Sequence, residues 1–576
     1  MPFRRAIVLL PITLFCIYFL YSDSFLLNGQ RFFTSSDDAT ISLTYAKTFV
    51  ETGELVWYPG SPRVQGVTNP FYTLLMALIE VFHFTPSTNF LLINSMGAVF
   101  VCLTSLLVGI IVFHLVINKS KKMYLSTIAM LVTPLMHSFL MYPLRGLEVG
   151  FLSFNLLLSA LFSLKAYGGN THSQKKYLLT SGIISSFSIA TRFDFLIFVL
   201  ISCFFVFKWQ SSTRSRYSAL FYYCLSPIIT IILLLTFQKV YWGSWLPNTY
   251  YLKIAGFDIF DRTPRGVSSA LKGIPLLGLI IFSQFYFLKF GTKDKFKQSF
   301  VNLLFCYFVG ALFYSIYVGG DSWDMSGLLN RYIAVALPAV VIVLIVRFQD
   351  IYFSKLSLLI FICVSLITFF IYGFFWDGSS LLNFEFDQLK FLKLLYYFTF
   401  CVLVIVIGMY FQSNWRFKFN ILAISLLIIC YTSFDYWLQW VKQGQSAFIV
   451  EDRNVLSWSL NLDVIASENA SIAVAHAGLP AYISGNKMVD LLGKNDSFIS
   501  RLEPRGLIFP GHNKWNYDYS IGKLKPDLIA ETWYMTDSDR ENFTRWGYMK
   551  YCLNDFSFYA NSISKEINWS NVIPCE

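Results

Sequence analysis

SDDATISLTYAKTFVETGELVWYPGSPRVQGVTNPFYTLLMAL, residues 36 to 78, stands between two long apolar runs and is itself too polar to cross a bilayer. One run covers about 6 to 21 and the next about 90 to 117. The segment therefore belongs to a first loop, 22–89, held at a membrane surface, with the adjacent carboxylates Asp37 and Asp38 near its root. Ala39, Ile41, Leu43, Tyr45, Ala46, Phe49 and Val50, ending before Gly53, have the spacing of an amphipathic helix. The apolar run Phe71 to Phe84 contains Glu80 and follows Asn69-Pro70. It is shorter than a span, so it is expected to lie in the interface or to be partly re-entrant rather than to cross.

Working outward, the chain of 576 residues is 55% hydrophobic and only 14% charged. Crossing a hydrocarbon core of roughly 30 Å takes about 20 mostly apolar residues. The recurring apolar runs predict a polytopic α-helical membrane protein over 1–437, followed by a soluble α/β domain over 438–576. The net charge of +11 does not point to nucleic acid, because the basic residues cluster at alternate ends of the apolar runs. These clusters are Arg4-Arg5, Lys119 to Lys122, Lys165 to Lys176, Lys208 to Arg216, Lys289 to Lys297, Arg347 with Lys355, and Arg416 with Lys418. The positive-inside rule makes them all cytoplasmic. Spans are then expected at 6–21, 90–117, 123–142, 147–165, 177–191, 195–208, 217–238, 269–289, 299–318, 328–346, 356–376, 393–411 and 418–437. About thirteen spans put the N-terminus in the cytoplasm and the tail outside the cytoplasmic membrane. Met1 to Tyr21 lacks a small-residue cleavage site and is read as a retained span. Eight of the ten cysteines fall in apolar runs. Cys552 and Cys575 lie in the outward-facing tail, where they form a disulfide or remain two free thiols.

An acid pair at a helix start has two readings. Ser36 or Asp37 caps the helix and the acids complement its dipole, or one carboxylate is a general base. The turn after the helix, carrying Arg63, Gln65, Thr68 and Asn69, favours a substrate-positioning loop. Arg145 and Glu148 have the spacing of an i,i+3 pair. No zinc-type Cys/His spacing, P-loop or dinucleotide fingerprint is present, so a nucleotide-dependent mechanism has no visible support and a divalent cation is the cofactor left open.

DDATISLTYAKTFVETGELVWYPGSPRVQGVTNPFYTLLMAL resembles the first external loop of GT-C fold glycosyltransferases, above all that of the mycobacterial terminal arabinofuranosyltransferase family. RGLEVGF at 145–151, YWGSWLPNTYYLK at 241–253 and VGGDSWDMSGLLNRYIAVALP at 318–338 resemble later loops of that family. In the tail, IAVAHAGLPAYISGNKMVDLLGKND, PGHNKW and KPDLI resemble its soluble domain. Thr40 stands where the family often has Tyr, and Gln65 where it has Glu. The arabinose donor is therefore not carried over. The resemblance implies transfer of a sugar from a polyprenyl-phosphate donor to an envelope glycan acceptor at the outer membrane surface, with inversion. It makes Asp37 or Asp38 the general base, with Asp37 slightly favoured as the first of the pair.

A leaving lipid phosphate needs cationic partners, and Lys253, Arg331 and Arg192 are the candidates. Arg192 alternatively pairs with Asp194. Glu148 and Asn248 are candidate sugar contacts, and Asp321 is a candidate for sugar hydroxyls or a divalent cation. His512 in PGHNKW suits a sugar-contact loop, as do the aromatics Trp515, Tyr517, Tyr519, Trp533 and Tyr534, although a place in the core accounts for them equally. Membrane lipid is the remaining partner. A lipid-linked glycan transporter or flippase, and an envelope polysaccharide polymerase or ligase, are the competing functions. The sequence has no convincing internal repeat of the transporter kind.

Overall fold

The computed structural model describes residues 2–27, 29–167, 171–271, 294–326, 329–348, 443–446 and 448–575, with isolated positions 276, 278, 281, 437 and 440. The expected spans at 269–289, 356–376, 393–411 and 418–437 lie wholly or almost wholly outside the described residues.

Among the described residues, four helices are long and apolar enough to cross a membrane: Pro86–Leu115, Val149–Tyr167, Thr213–Trp242 and Lys295–Val318. The expected straight span at 123–142 is instead two helices, Ser120–Leu135 and His137–Leu144, bent by 61°. Pro134, in a 3-10 turn, is the cause, because it lacks the N–H that would continue the ladder. Helix Leu196–Lys208 occupies the span expected at 195–208, and helices Arg331–Ala334 and Leu337–Phe348 occupy the one expected at 328–346, the last of them reaching the edge of the described residues. Helix Pro70–Glu80, at 11 residues, is also too short to cross. Helix Thr171–Thr191 packs on Val149–Tyr167 through buried serines, with Ser159 Oγ 2.8 Å from Ser181 Oγ and 2.9 Å from Ser185 Oγ.

The helices run up and down, which sorts the loops to two ends. Tyr167 stacks on Phe296, Trp209 donates to Ser299 Oγ at 2.8 Å, and Arg347 donates to Asn302 at 2.9 Å, so these lysine- and arginine-bearing turns share one end. Residues 22–27, 29–37, 144–148, 191–194, 318–326 and 329–331 share the other. There Ser36 donates to the Arg145 carbonyl at 3.0 Å, and Arg192 Nη1 lies 2.7 Å from Glu148.

The tail is built on a six-stranded mixed sheet. In chain order its strands are β1 (Ser471–Val474), β2 (Lys487–Asp490), β3 (Leu528–Ile529), β4 (Tyr548–Leu553), β5 (Phe556–Asn561) and β6 (Ile573–Pro574). Their order is β2-β1-β3-β5-β4-β6, with β1 parallel to β2 and β3 and the remaining pairs antiparallel. Alternate apolar residues of β1 and β5 enter a core that also takes Ile41, Tyr45, Trp57 and Val67 from the first loop. The sheet therefore closes its core only with that loop in place. Gly66 marks the closest approach: a Cβ there would sit 1.8 Å from Asn495 Oδ1 of the tail. Cys552 of β4 is bonded to Cys575 just beyond β6.

Two outcomes follow from this architecture. In intact cells, and in a background without other accessible thiols, a membrane-impermeant maleimide labels Asp258→Cys but not Lys295→Cys; labelling of both from outside contradicts the placement of the two ends. Closing a loop of sequence separation 23 contributes about 3 kcal/mol by the chain-entropy model. Removing the disulfide with paired Ser substitutions is therefore expected to lower the melting temperature of the tail and leave the helices unaffected, as followed by near- and far-ultraviolet circular dichroism.

Candidate active site

Helix Asp37–Thr52 begins with Ser36, whose Oγ accepts the Ala39 N–H. Ser36, and neither acid, is the cap, so both carboxylates of the first turn are available for other partners. Asp37 Oδ1 accepts the N–H groups of Gly478 at 2.9 Å and Leu479 at 3.0 Å, which fastens the tail to the first loop. Asp38 turns into a cleft. Its Oδ2 lies 3.2 Å from Arg331 Nη1 and accepts Trp323 Nε1 at 3.3 Å, and its Oδ1 lies 3.9 Å from Lys494 Nζ.

The far wall comes from the GGDSWD segment. Gly319 and Gly320 both adopt positive φ, 82° and 78°, a turn that delivers Asp321 beneath Arg331. Asp321 Oδ2 is 2.9 Å from Arg331 Nε, and Oδ1 is 3.7 Å from Lys253 Nζ. Arg265 donates to the Gly319 and Asp321 carbonyls and lies 3.5 Å from Asp324, which holds the turn from behind. Asp321 is thus neutralised by two cations, and a divalent ion placed on it would meet their charge. Among the described residues no group of three or more His, Cys, Asp and Glu side chains gathers as metal ligands.

The cleft encloses about 440 Å³, part of it open, and is lined by Asp38, Lys253, Arg331, Lys494, Thr68 and His512, with Ser42, Gly66, Thr249 and Ser322 among the smaller groups. Three cations thus face it against one carboxylate. Burial works to raise the pKa of Asp38, but Arg331, Lys494 and Lys253 outweigh it and hold the carboxyl well below the usual range. Burial and Arg331 lower Lys253 to about 8, against Asp321 and Asp38. Lys494 is held up by Asp37, Asp38 and Asp490 despite its burial. Burial, and after it Lys494, pushes His512 down to about 3, so its ring is neutral.

Lys494 is the cleft-lining side chain that the sequence did not single out. It sits in the quoted GKND motif, but only the fold turns it toward Asp37 and Asp38, 440 and more positions earlier. Asn248 supports it. The amide donates to the Gly493, Lys494 and Asp496 carbonyls at 2.9, 3.0 and 3.3 Å and accepts Ser500 Oγ at 2.7 Å, so it is engaged in holding the lysine loop and not in the cleft.

The other expected site residues are distributed. Arg63 is at the surface, paired with Glu54 at 2.6 Å and lying over Tyr241. Gln65 is buried, with Oε1 lacking a hydrogen-bond partner among the described residues. Asn69 receives Ser42 Oγ at 2.7 Å and donates to Glu148 at 2.9 Å. Glu148 in turn pairs with Arg192, which also makes a two-pronged contact with Asp194 at 3.0 and 2.7 Å. Arg145 is not paired with Glu148; it is buried against Asp452 and Asp23. Glu148, Arg192 and Asp194 line a second cavity of about 360 Å³, part of it open, with Leu152, Ile197, Phe198, Ala311 and Val335, and Arg331 lines both this cavity and the cleft.

No protein-family model matches the chain, and no curated protein does. Solved structures resemble it in outline. The Archaeoglobus fulgidus oligosaccharyltransferase tethered with an acceptor peptide containing the NVT sequon is 11% identical, with 99% of this chain and 75% of that chain covered and a TM-score of 0.48. ArnT from Cupriavidus metallidurans bound to undecaprenyl phosphate is 11% identical, with 85% and 86% covered and a TM-score of 0.48. The archaeal oligosaccharyltransferase AglB from Archaeoglobus fulgidus, in complex with an inhibitory peptide and a dolichol-phosphate, is 12% identical, with 100% and 76% covered and a TM-score of 0.48. The likeness to arabinofuranosyltransferases rests on the sequence motifs alone.

Proposed function

We propose that this chain is an inverting GT-C glycosyltransferase that moves a sugar from a polyprenyl-phosphate carrier to a cell-envelope glycan on the extracytoplasmic face of the cytoplasmic membrane. One observation carries the reading: Asp38 shares a cleft with Lys253, Arg331 and Lys494, and Arg331 also borders a largely apolar cavity among the helices. A lipid phosphate has this combination of needs, with cations for the headgroup and an apolar path for the chain. The carrier's chain takes the apolar cavity, its phosphate lies at Arg331 and Lys253, and the sugar occupies the cleft.

In the transfer step the acceptor hydroxyl oxygen attacks the anomeric carbon and its proton passes to Asp38. The bond from the anomeric carbon to the phosphate oxygen breaks, and the departing polyprenyl phosphate keeps the electron pair. Arg331 and Lys253 stabilise the charge that develops there. Attack opposite the leaving phosphate inverts the anomeric centre. In the empty cleft Asp38 is a weak base because three cations stabilise its charged form. An arriving phosphate competes for the same cations and raises the proton affinity of Asp38, so base strength appears only with the donor bound.

The test uses radiolabelled polyprenyl-phosphate sugars with envelope glycan from a strain lacking the protein. Asp38→Asn is expected to lower transfer about a hundred- to ten-thousand-fold at normal membrane level. Asp37→Asn retains an oxygen for the Gly478 and Leu479 amides and stays within about tenfold. Near-parental transfer by Asp38→Asn removes it as the base.

Lys253 sets a pH dependence. With its pKa lowered to about 8, the lysine loses its charge as pH rises through that value, and a neutral amine attracts phosphate weakly. Donor kcat/KM, which reports the free enzyme, therefore falls above about pH 8. Lys253→Arg stays charged and moves that fall to higher pH. An unmoved alkaline limb in the Arg variant assigns the titration to another group.

A further inference from the structure

Loop 505–515 and turn 532–535 of the tail place a run of aromatic rings at the mouth of the cleft. His512, which lines the cleft, stacks on Phe509 with ring centres 4.3 Å apart and meets Trp533 at 5.2 Å. Trp533 continues to Tyr534 at 5.1 Å, and Tyr534 to Trp515 at 5.9 Å. The Arg505 guanidinium lies over Trp515 at 5.4 Å. The series leads from the charged cleft out to Tyr534, which is 70% exposed.

Two features show that this surface is built. Trp533 is fixed on three sides: Nε1 donates to the His512 carbonyl at 3.1 Å, its N–H donates to Tyr517 Oη at 2.6 Å, and Tyr517 Oη reaches the Trp533 carbonyl at 2.6 Å. Tyr534 has φ +43°, a left-handed conformation that is unfavourable for a bulky side chain. Folding stability gives no reason to strain a backbone in order to expose a large aromatic ring. Such strain persists where the surroundings enforce it, and it clusters at ligand sites.

We propose that Phe509, His512, Trp533, Tyr534 and Trp515 form a carbohydrate-binding platform that holds the sugar rings of the acceptor glycan and directs its terminal hydroxyl toward Asp38. This inference rests on the transferase reading and names how that same site receives its acceptor. Sugar rings present apolar C–H faces that suit aromatic faces, and hydroxyl edges that suit Arg505 and the Tyr534 hydroxyl. The neutral imidazole of His512 adds a flat, uncharged surface at the innermost position. A hydrocarbon chain is a poor occupant. The stack leads directly to Asp38, Lys253 and Lys494, and an apolar chain would remove water from those charges without replacing its hydrogen bonds.

The experiment uses the full-length protein in detergent, with envelope glycan purified from a strain lacking the protein as acceptor. Tyr534→Ala and Trp515→Ala are expected to raise the acceptor KM at least tenfold while the donor KM is unchanged. Tyr534 is exposed, so its replacement leaves the fold intact, and normal membrane level confirms this. A parental acceptor KM in both variants overturns the platform, and loss of transfer in Asp38→Asn would still stand, so the two ideas fail separately. A bimane fluorophore on Leu507→Cys, an 87% exposed position on the same loop and outside the platform, in phosphatidylethanolamine and phosphatidylglycerol vesicles, distinguishes the membrane as occupant. Blue shift on adding the glycan supports the platform, whereas quenching by brominated acyl chains places the rim in the bilayer and overturns it.

Discussion

Alternation of charge, buried at Asp321 and Arg331 and half-buried at the other members, is the constraint on which the rest depends. Lys253, Asp321, Arg331, Asp38, Lys494 and Asp37 follow one another with opposite signs in contact at each step. Moving a single ion out of water costs several kcal/mol even after relaxation, and only a well-placed partner offsets it. The six groups come from the first loop, helix Asn248–Lys253, the 319–331 turn and the loop after Asp490. Displacing any one of these segments would leave a buried or half-buried charge without its partner.

Much of the surrounding structure serves to keep those segments together. Asn248 binds three carbonyls of the lysine loop, and Lys514 donates to the Tyr251, Ala255 and Ser500 carbonyls at 2.8, 2.8 and 3.0 Å. The Tyr45 hydroxyl accepts the Gly66 N–H and approaches Asn495, joining the first loop to the tail from the opposite side. These contacts tie the tail to the site. The tail thus supplies Lys494 and His512 to the lining of the cleft. The two adjacent acids diverge accordingly, Asp37 joining the tail and Asp38 facing the cleft.

In the proposed transfer the same arrangement would couple binding to reactivity. Cations that stabilise Asp38 in the empty cleft are the cations a phosphate would use, so the carboxylate is least basic when there is nothing to deprotonate for. Arg331 is central to this exchange, since it touches Asp38 and Asp321 and stands between the cleft and the apolar cavity.

The sequence by itself determined the helical, membrane-suited character of the chain, the non-crossing length of Pro70–Glu80 and the importance of the acid pair, because apolar run length, basic flanks and helix-start chemistry are local properties. Asp38, Lys253, Arg331, Thr68 and His512 could be named in advance from their motifs, and the structure brings them to one cleft. Local pattern did not separate Ser36 from the acids as the cap, since all three are good capping residues. Nor did it show that Arg63 would pair with Glu54 at the surface, that Arg145 would find Asp452, or that Asn248 would hold a loop. Lys494 is the clearest case: a lysine in a soluble tail has no local mark of a site. Its place in the cleft arises from contacts across more than 450 positions, and only the tertiary structure decides which distant charge a half-buried ammonium meets.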